Sequence, residues 1–324
     1  MTSVEELSGQ RPRVDGMGRR TFLAACIMGL AGANRGASNG LPSYLEENAA
    51  PFVKLDIPWL QSFALDGVTA EIYAQFVRPE RKWLTEVHRL KRRADGTSQL
   101  VDKQLPTNLL GHQSLAIEHT SGRAAFWIAA PGTGWSAVRF EYVADGAPAN
   151  VHDYVLFDKS FLPASLNVTV SHDQNWLIAI SRRKEYGRSQ NKLRIFDLSK
   201  LLEGGPGDHS NDHVAEWNVH SEPSMPIQGL ACSEATIFIV YGRSSAKLAK
   251  PMAAYNLAGI LQSFRPDVRT GRAAFLALGE GTNYEPEGLT VATLSGNSAP
   301  SLLLGINGGG RSKRTNHIYN LGSA

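Results

Sequence analysis

Apolar residues come along this chain in short runs, broken by polar and glycine-bearing turns, and the runs recur in sets of three. Each set opens with a related heptapeptide: LQSFALD (60–66), HQSLAIE (112–118), LNVTVSH (166–172), IQGLACS (227–233) and PEGLTVA (286–292). A polar residue, then a small residue, hydroxyl or valine, then a strand-like apolar stretch is common to all five. The aligned polar residues are Gln61, Gln113, Asn167, Gln228 and Glu287, separated by 52, 54, 61 and 59 residues. A second run follows each heptapeptide: AEIYAQFV (70–77), AAFWIAA (124–130), NWLIAIS (175–181), TIFIVYG (236–242) and SLLLGIN (301–307). A third follows that: TEVHRLKR (85–92), AVRFEYV (137–143), KLRIFDLS (192–199), MAAYNLAG (252–259) and NHIYNLG (316–322). The links DGVT, TSGR, HDQN and SEAT have hairpin-turn character, and the fifth set uses the longer TLSGNSAP.

Units of roughly 50–60 residues, each with three or four antiparallel strands, predict an all-β, five-bladed β-propeller. The fifth set stops after its third strand, while PFVKLDIP (51–58) is a strand with no set of its own. This segment is expected to complete blade five as its outer strand and close the ring. DLSKLLE, near residue 200, reads as a short helix.

The N-terminus has a different pattern. GRRTFL (18–23) precedes the apolar stretch AACIMGLAGA, with a small-residue cleavage site at Ala31-Gly32-Ala33. Paired arginines ahead of a short apolar stretch predict a twin-arginine-type export signal over 1–33, a linker over 34–50 and the propeller over 51–324. A lipoprotein box at Leu23–Cys26 sits too close to the arginines to leave a proper apolar region. No other stretch approaches the ~20 apolar residues needed to span a bilayer, so a periplasmic or secreted, non-transmembrane protein is expected.

Charge then narrows the partners. The chain has 33 basic and 30 acidic residues, too even a balance to argue for nucleic acid. Its two cysteines, Cys26 and Cys232, offer no disulfide framework, and Cys232 lies in an apolar run as a buried small residue. A monomer is expected.

In a propeller the first strand of each blade lines the central channel, so the five aligned polar residues are expected to ring one mouth. At strand starts, Gln and Asn also serve simply to satisfy backbone groups between blades. The loops joining second and third strands fall on the same face, and four of the five are basic. They contribute Arg182, Arg183, Lys184, Arg243, Lys247, Lys250, Arg311 and Arg314 among others, predicting a cationic face for an anionic partner. GGGRSKR (308–314) is the best anion site by pattern, because glycine amides can cradle an oxyanion beside arginine. His112, beside the ring, is a candidate ligand or donor.

Enzymatic chemistry is thinly supported. Glycoside hydrolysis needs convergent carboxylates, and only Glu285 and Glu287 lie at a first-strand start; the other blades present amides. Calcium takes six to eight oxygens, and a ring of amides with one or two glutamates is short of charge for it, so no cofactor is expected, a channel-bound cation such as calcium being the one the ring would admit. His209 and His213 in HSNDH read as a surface turn without a cysteine to complete a zinc site. No nucleophile elbow, phosphate loop or dinucleotide fingerprint is present.

LQSFALD, VSHDQNWLIAIS with LRIFDLSKL, IQGLACSEATIFIV, and NYEPEGLTV with LLLGI and HIYNL together resemble the helveticin J-like family over residues 51–321. That family includes proteins with phage-baseplate-like and teichoic-acid-associated descriptions. The resemblance implies an exported or surface-acting five-bladed propeller, bactericidal in some members, with no catalytic machinery to carry over. The leading expectation is an exported, non-enzymatic propeller binding an anionic or glycan ligand of a cell envelope. The alternatives are an enzyme acting on a sugar or phosphoester through Glu287 and Glu285, and a secreted bactericidal protein.

Overall fold

The computed structural model describes residues 41, 46–57, 59–78, 84–120, 123–185, 188–219, 225–279, 282–310 and 313–324. The expected export signal at 1–33 lies outside the described residues. So does most of the expected linker, but Leu41 and Ala49 pack into a hydrophobic cluster, and the carbonyls of Glu46 and Glu47 accept from Gly271 and Ala273. The end of the 34–50 segment is therefore part of the propeller body.

Among the described residues twenty-one strands form five sheets, all but one of four strands. Blade one runs β2 (Leu60–Leu65), β3 (Glu71–Arg78), β4 (Leu84–Arg92) and β5 (Ser98–Lys103). Blade two runs β6 (Leu115–Thr120), β7 (Arg123–Ala129), β8 (Ser136–Glu141) and β9 (Ala149–Val155). Blade three has β10 (Asn167–Val170), β11 (Trp176–Glu185), β12 (Arg188–Asp197) and β14 (Ala215–Val219). Blade four has β15 (Ile227–Cys232), β16 (Thr236–Tyr241), β17 (Met252–Asn256) and β18 (Leu261–Arg265). Blade five has β19 (Asn283–Thr293), β20 (Pro300–Gly310) and β21 (Lys313–Ser323), and its fourth strand is β1 (Val53–Leu55). Val53 lies opposite Ile318 and Leu55 opposite Asn316, so the early segment closes the ring as expected.

The burial pattern explains why these strands look so apolar. In β16, Ile237, Ile239 and Tyr241 pack with blade three, while Phe238 and Val240 pack with blade five. Alternation thus divides one apolar run between two neighbours, because both faces of a blade are covered. The result, among the described residues, is five hydrophobic clusters, one in each seam between adjacent blades. None of the side chains of the outer strands β5 and β18 is fully buried, consistent with edges facing solvent. The edge of β9 is covered by a two-residue strand, β13 (Gly207–Asp208), pairing in parallel. That strap follows helix α1 (Leu198–Gly204), the short helix read from DLSKLLE, whose N-cap Asp197 accepts from the Lys200 amide at 3.2 Å. A second short helix, α2 (Arg272–Leu276), precedes β19.

The residue after each aligned polar residue sits where neighbouring first strands meet. Ser62 Oγ accepts from the Leu115 amide at 2.9 Å, and Ser114 Oγ accepts from the Val168 amide at 3.0 Å. At the corresponding Gly229 there is no room for a side chain: a Cβ would meet Leu289 N at 2.7 Å and Gly288 C at 2.8 Å. The small-or-hydroxyl position of the repeat is thus a blade-to-blade contact.

Candidate functional site

Four of the aligned polar residues lie near one another: Gln61 and Gln113 share one cleft wall, Gln113 and Asn167 another, and Gln113 hydrogen-bonds Gln228; irregularities in the strand ladders fall at Gln61, Gln228 and Glu287. In β2 the ladder jumps from Leu60 to Ser62, leaving Gln61 as the extra residue; in β15 it jumps from Ile227 to Gly229, leaving Gln228. In β19 the irregularity spans Glu287 and Gly288, the latter at φ +103°. A bulge frees its residue from the two-sided alternation of the strand and lets it turn toward the channel.

What the five residues do there differs. Gln61 Nε2 donates to its neighbour's carbonyl, Leu60 O, at 3.3 Å, the backbone-satisfying role. Gln113 Nε2 donates to Gln228 Oε1 at 3.2 Å, and Gln228 Nε2 donates to Glu285 Oε1 at 3.1 Å. An amide–amide–carboxylate chain therefore crosses the mouth from blade two to blades four and five. Asn167 starts β10 almost completely buried, and its Oδ1 has no hydrogen-bond partner within the protein.

The carboxylates share the work differently from the pattern in the sequence. Glu285 does not lie in an entering loop; it is paired within β19 opposite Asn307, and it is the one that joins the amide chain. Burial raises its pKa, opposed by the charges of Lys250 and Arg314 and by the Gln228 hydrogen bond. Glu287 is 4% exposed. Burial first, and the Glu285 charge second, push its carboxyl well above the usual range, with Arg314 opposing.

The comparisons with known proteins agree with this architecture. Residues 59–320 match the phage 5-bladed β-propeller receptor-binding platform domain. The chain belongs to that family. Among solved structures, this receptor-binding platform is similar to the tail fibre of Staphylococcus aureus phage P68, with a TM-score of 0.62 and 16% identity. The match covers 84% of this chain and 52% of the fibre, so the platform spans about half the length of that relative. The endo-arabinase from Bacteroides thetaiotaomicron VPI-5482 gives a TM-score of 0.50 at 10% identity, covering 86% of this chain and 98% of the enzyme. At these identities both likenesses show the propeller fold alone. None of the curated proteins compared matches.

The platform's basic residues are less available than the loops suggested. Arg314 is held in place: Nη1 donates to Asn307 Oδ1 at 3.3 Å, the guanidinium lies over the Trp59 ring, and Asn283, with its amide oxygen turned inward, accepts from both Nη atoms at 2.8 Å. Lys250, read as a loop cation, is fully buried. Its Nζ donates to the carbonyls of Ser245 at 2.8 Å and Leu248 at 3.0 Å, and burial lowers its pKa to about 8. Arg183 lies against Phe161, Arg182 is partly buried, and Arg243 is exposed. Arg311 lies outside the described residues. The glycines of GGGRSKR form no cradle, because Gly308, Gly309 and Gly310 are ladder residues of β20 opposite Thr315, Arg314 and Lys313.

Two clefts open beside the amide chain. One, of about 440 Å³, includes Gln61, His112 and Gln113 in its wall, His112 being exposed. The other, of about 70 Å³, includes Gln113, Asn167, Arg182 and Asn191, and the two share Gln113 and Ala164. The structure thus brings Gln113, Gln228 and Glu285 together and places Asn167 with Arg182 in the wall of the smaller cleft. Ser165, Asn191 and Asn307 belong to this region and escaped the repeat, since they lie outside the first strands. His209 and His213 form a structural turn. His209 engages Asp212 Oδ2 at 2.9 Å and the Gly205 carbonyl at 2.7 Å through its two ring nitrogens. Among the described residues no helix is long and apolar enough to cross a membrane, and no group of three or more His, Cys, Asp or Glu side chains is placed to hold a metal ion.

Proposed function

We propose that the chain is a receptor-binding propeller whose channel mouth takes a glycan or anionic polymer of a cell envelope. The observation that carries this reading is the Gln113–Gln228–Glu285 chain, bordered by clefts whose walls carry further amides and Arg182. Fixed amides present donors and acceptors together, as sugar hydroxyls require, and an aligned network costs little reorganisation on binding. Membership of the receptor-binding platform family supports a binding role. The restraint of Arg314 and the burial of Lys250 weight the ligand toward glycan over simple anion.

In this reading the protein is exported by way of the twin-arginine-like segment, works as a monomer, and needs no resident metal. The helveticin J-like resemblance adds a bactericidal outcome as a downstream consequence of envelope binding. The test is a screen of purified envelope polymers and glycans against the full chain and its Glu285→Ala variant. Binding by the unaltered chain, weakened at least tenfold in the variant, supports the reading. A chain that binds no envelope polymer refutes it.

One observation favours a catalytic alternative: the raised pKa of Glu285 in a half-buried site is a property general acids need. Glu287, the other carboxylate of its strand, is buried and does not supply the opposed partner that a glycosidase uses. Turnover of any bound glycan, abolished by Glu285→Gln with binding retained, would establish the enzyme.

A further inference from the structure

The amide chain across the mouth has a sense, and the carboxylate at its end sets it. An ionised carboxylate accepts hydrogen bonds and gives none, so Gln228 turns Nε2 to Glu285 Oε1 at 3.1 Å. Gln228 Oε1 is thereby left facing Gln113, and an amide oxygen also only accepts, so Gln113 offers Nε2 at 3.2 Å. The outward end of the relay is then Gln113 Oε1, an acceptor. Gln113 is half-buried and stands in the walls of both clefts. Its Oε1 has no partner among the described residues, yet it is not one of the unpaired side-chain atoms sealed from solvent, as Asn167 Oδ1 is. It is the end of the relay open to a ligand.

The same atomic positions support the opposite sense. The oxygen and nitrogen of a glutamine amide are nearly alike in size, so a half-turn about the last side-chain bond exchanges them in place. With a proton on Glu285, its hydroxyl donates to Gln228 Oε1, Gln228 Nε2 donates to Gln113 Oε1, and Gln113 Nε2 faces outward. Every link keeps one donor and one acceptor. Reversal gives up only the long contact from Gln228 Nε2 to the Gly242 carbonyl, at 3.5 Å. The surroundings of Glu285 leave its protonation open to change. Burial disfavours the charge, while Lys250, Arg314 and the Gln228 hydrogen bond favour it, and burial is the largest of these. Asn307, opposite on β20, adds no charge, and Glu287, on the same strand, has its own carboxyl pushed up by burial and by the Glu285 charge.

We propose that Glu285 is the specificity-determining residue of the mouth: as a carboxylate it holds the relay with Gln113 Oε1 turned to the ligand, and as an acid it reverses the relay and turns Gln113 Nε2 out. Above the Glu285 midpoint the ligand feature read at Gln113 is a free hydroxyl, which can donate to Oε1. An ether oxygen accepts but cannot donate, and is disfavoured there. Below the midpoint the outward nitrogen donates to either oxygen, and the preference for a free hydroxyl falls away. Glu285 thus acts on the ligand through two amides, with no contact of its own required. The inference rests on the reading of the mouth as a glycan site and adds the sense of the hydrogen bond by which the glycan is read.

The test follows the side-chain amides of Gln113 and Gln228 and the carboxyl carbon of Glu285 by NMR in the full chain, from about pH 8 to about pH 4. The Gln113 amide is expected to move with the Glu285 midpoint, although Gln228 stands between them. In Glu285→Gln that movement is lost, and any shift caused by the neighbouring His112 survives there and is subtracted. In Gln228→Met the carboxyl still titrates and Gln113 no longer follows. Binding is then measured, on both sides of the midpoint, for methyl pyranosides with free hydroxyls and for the same glycosides O-methylated. The preference for the free form is expected to be at least tenfold above the midpoint and to fall at least threefold below it; the bulk of the methyl groups is the same at both. A Gln113 amide that stays still while Glu285 titrates, a Glu285 that keeps one state throughout, or a preference equal on both sides would overturn the proposal and leave the mouth reading standing. A relay that reverses in a chain binding no glycoside at either pH, and no envelope polymer, would overturn the mouth reading and the specificity role with it.

Discussion

Asn316 should be among the most costly polar residues to remove, because it holds the point where the ring is closed. It lies on β21 between the closing strand β1 and β20, 1% exposed. Its Oδ1 accepts from the Leu60 amide at 3.1 Å, and its Nδ2 donates to the Ile57 carbonyl at 2.6 Å. Asn307 adds a bond to the Leu60 carbonyl at 3.3 Å. Asn316→Ala strips the partners from two backbone groups in a segment where Leu60 is fully buried and Ile57 nearly so. At about 1–3 kcal/mol per stranded group, the loss for two groups is roughly 2–6 kcal/mol, a large part of the ~5–15 kcal/mol that keeps a domain folded. Urea unfolding at neutral pH measures it, and limited proteolysis should show new cleavage between residues 51 and 60. Asn316→Asp keeps an acceptor for Leu60 but loses the donor for Ile57 and buries an ionisable group, so it should be less stable at pH 8 than at pH 4. A loss under 0.5 kcal/mol in the alanine variant, or an aspartate variant as stable as the parent at pH 8, would refute the argument.

Glu287 gives a prediction in pH. Its folded pKa is raised, so its contribution is full below the ordinary carboxylate range and is lost as pH rises toward the folded value, where the unfolded chain ionises first. Glu287→Gln should therefore be close to neutral near pH 4 and more stable than the parent near pH 8 by urea unfolding; equal effects at both would contradict the burial argument. Gly229→Ala should destabilise by roughly 1–3 kcal/mol, because its Cβ would press on the backbone at Leu289 and Gly288 across the seam between blades four and five. A thermal midpoint unchanged from the parent would show that the seam has slack.

Most of the fold was legible because a propeller writes its symmetry into the chain. The aligned heptapeptides gave the first strands, and the unpaired PFVKLDIP gave the closing strand, since alternation and spacing are local signals. The site was legible only in part. The repeat marked Gln113, Asn167 and Gln228 as mouth residues, yet nothing local shows that Gln228 reaches Glu285 and not Glu287. That choice depends on the bulge at Glu287-Gly288, which flips the facing of one residue against the next. Loop lysines and arginines misled for a related reason: sequence shows that Lys250 is charged, not that its ammonium folds back onto the carbonyls of its own loop. Arg182 and Asn167 share a cleft wall because a long hairpin continues β11 past the start of β10, a register that pattern alone does not set.

The closing sheet has a practical consequence for anyone re-engineering the chain. Because Val53 and Ile318 are ladder partners, the two ends of the propeller already lie side by side in one blade. A short peptide bridging Ala324 to the segment before Val53, with new ends opened in an exposed outer-strand turn of another blade, would give a circular permutant. Such a permutant keeps all five interfaces and moves the seam away from the mouth residues of blades one and five, so that ring closure and ligand capture can be varied independently.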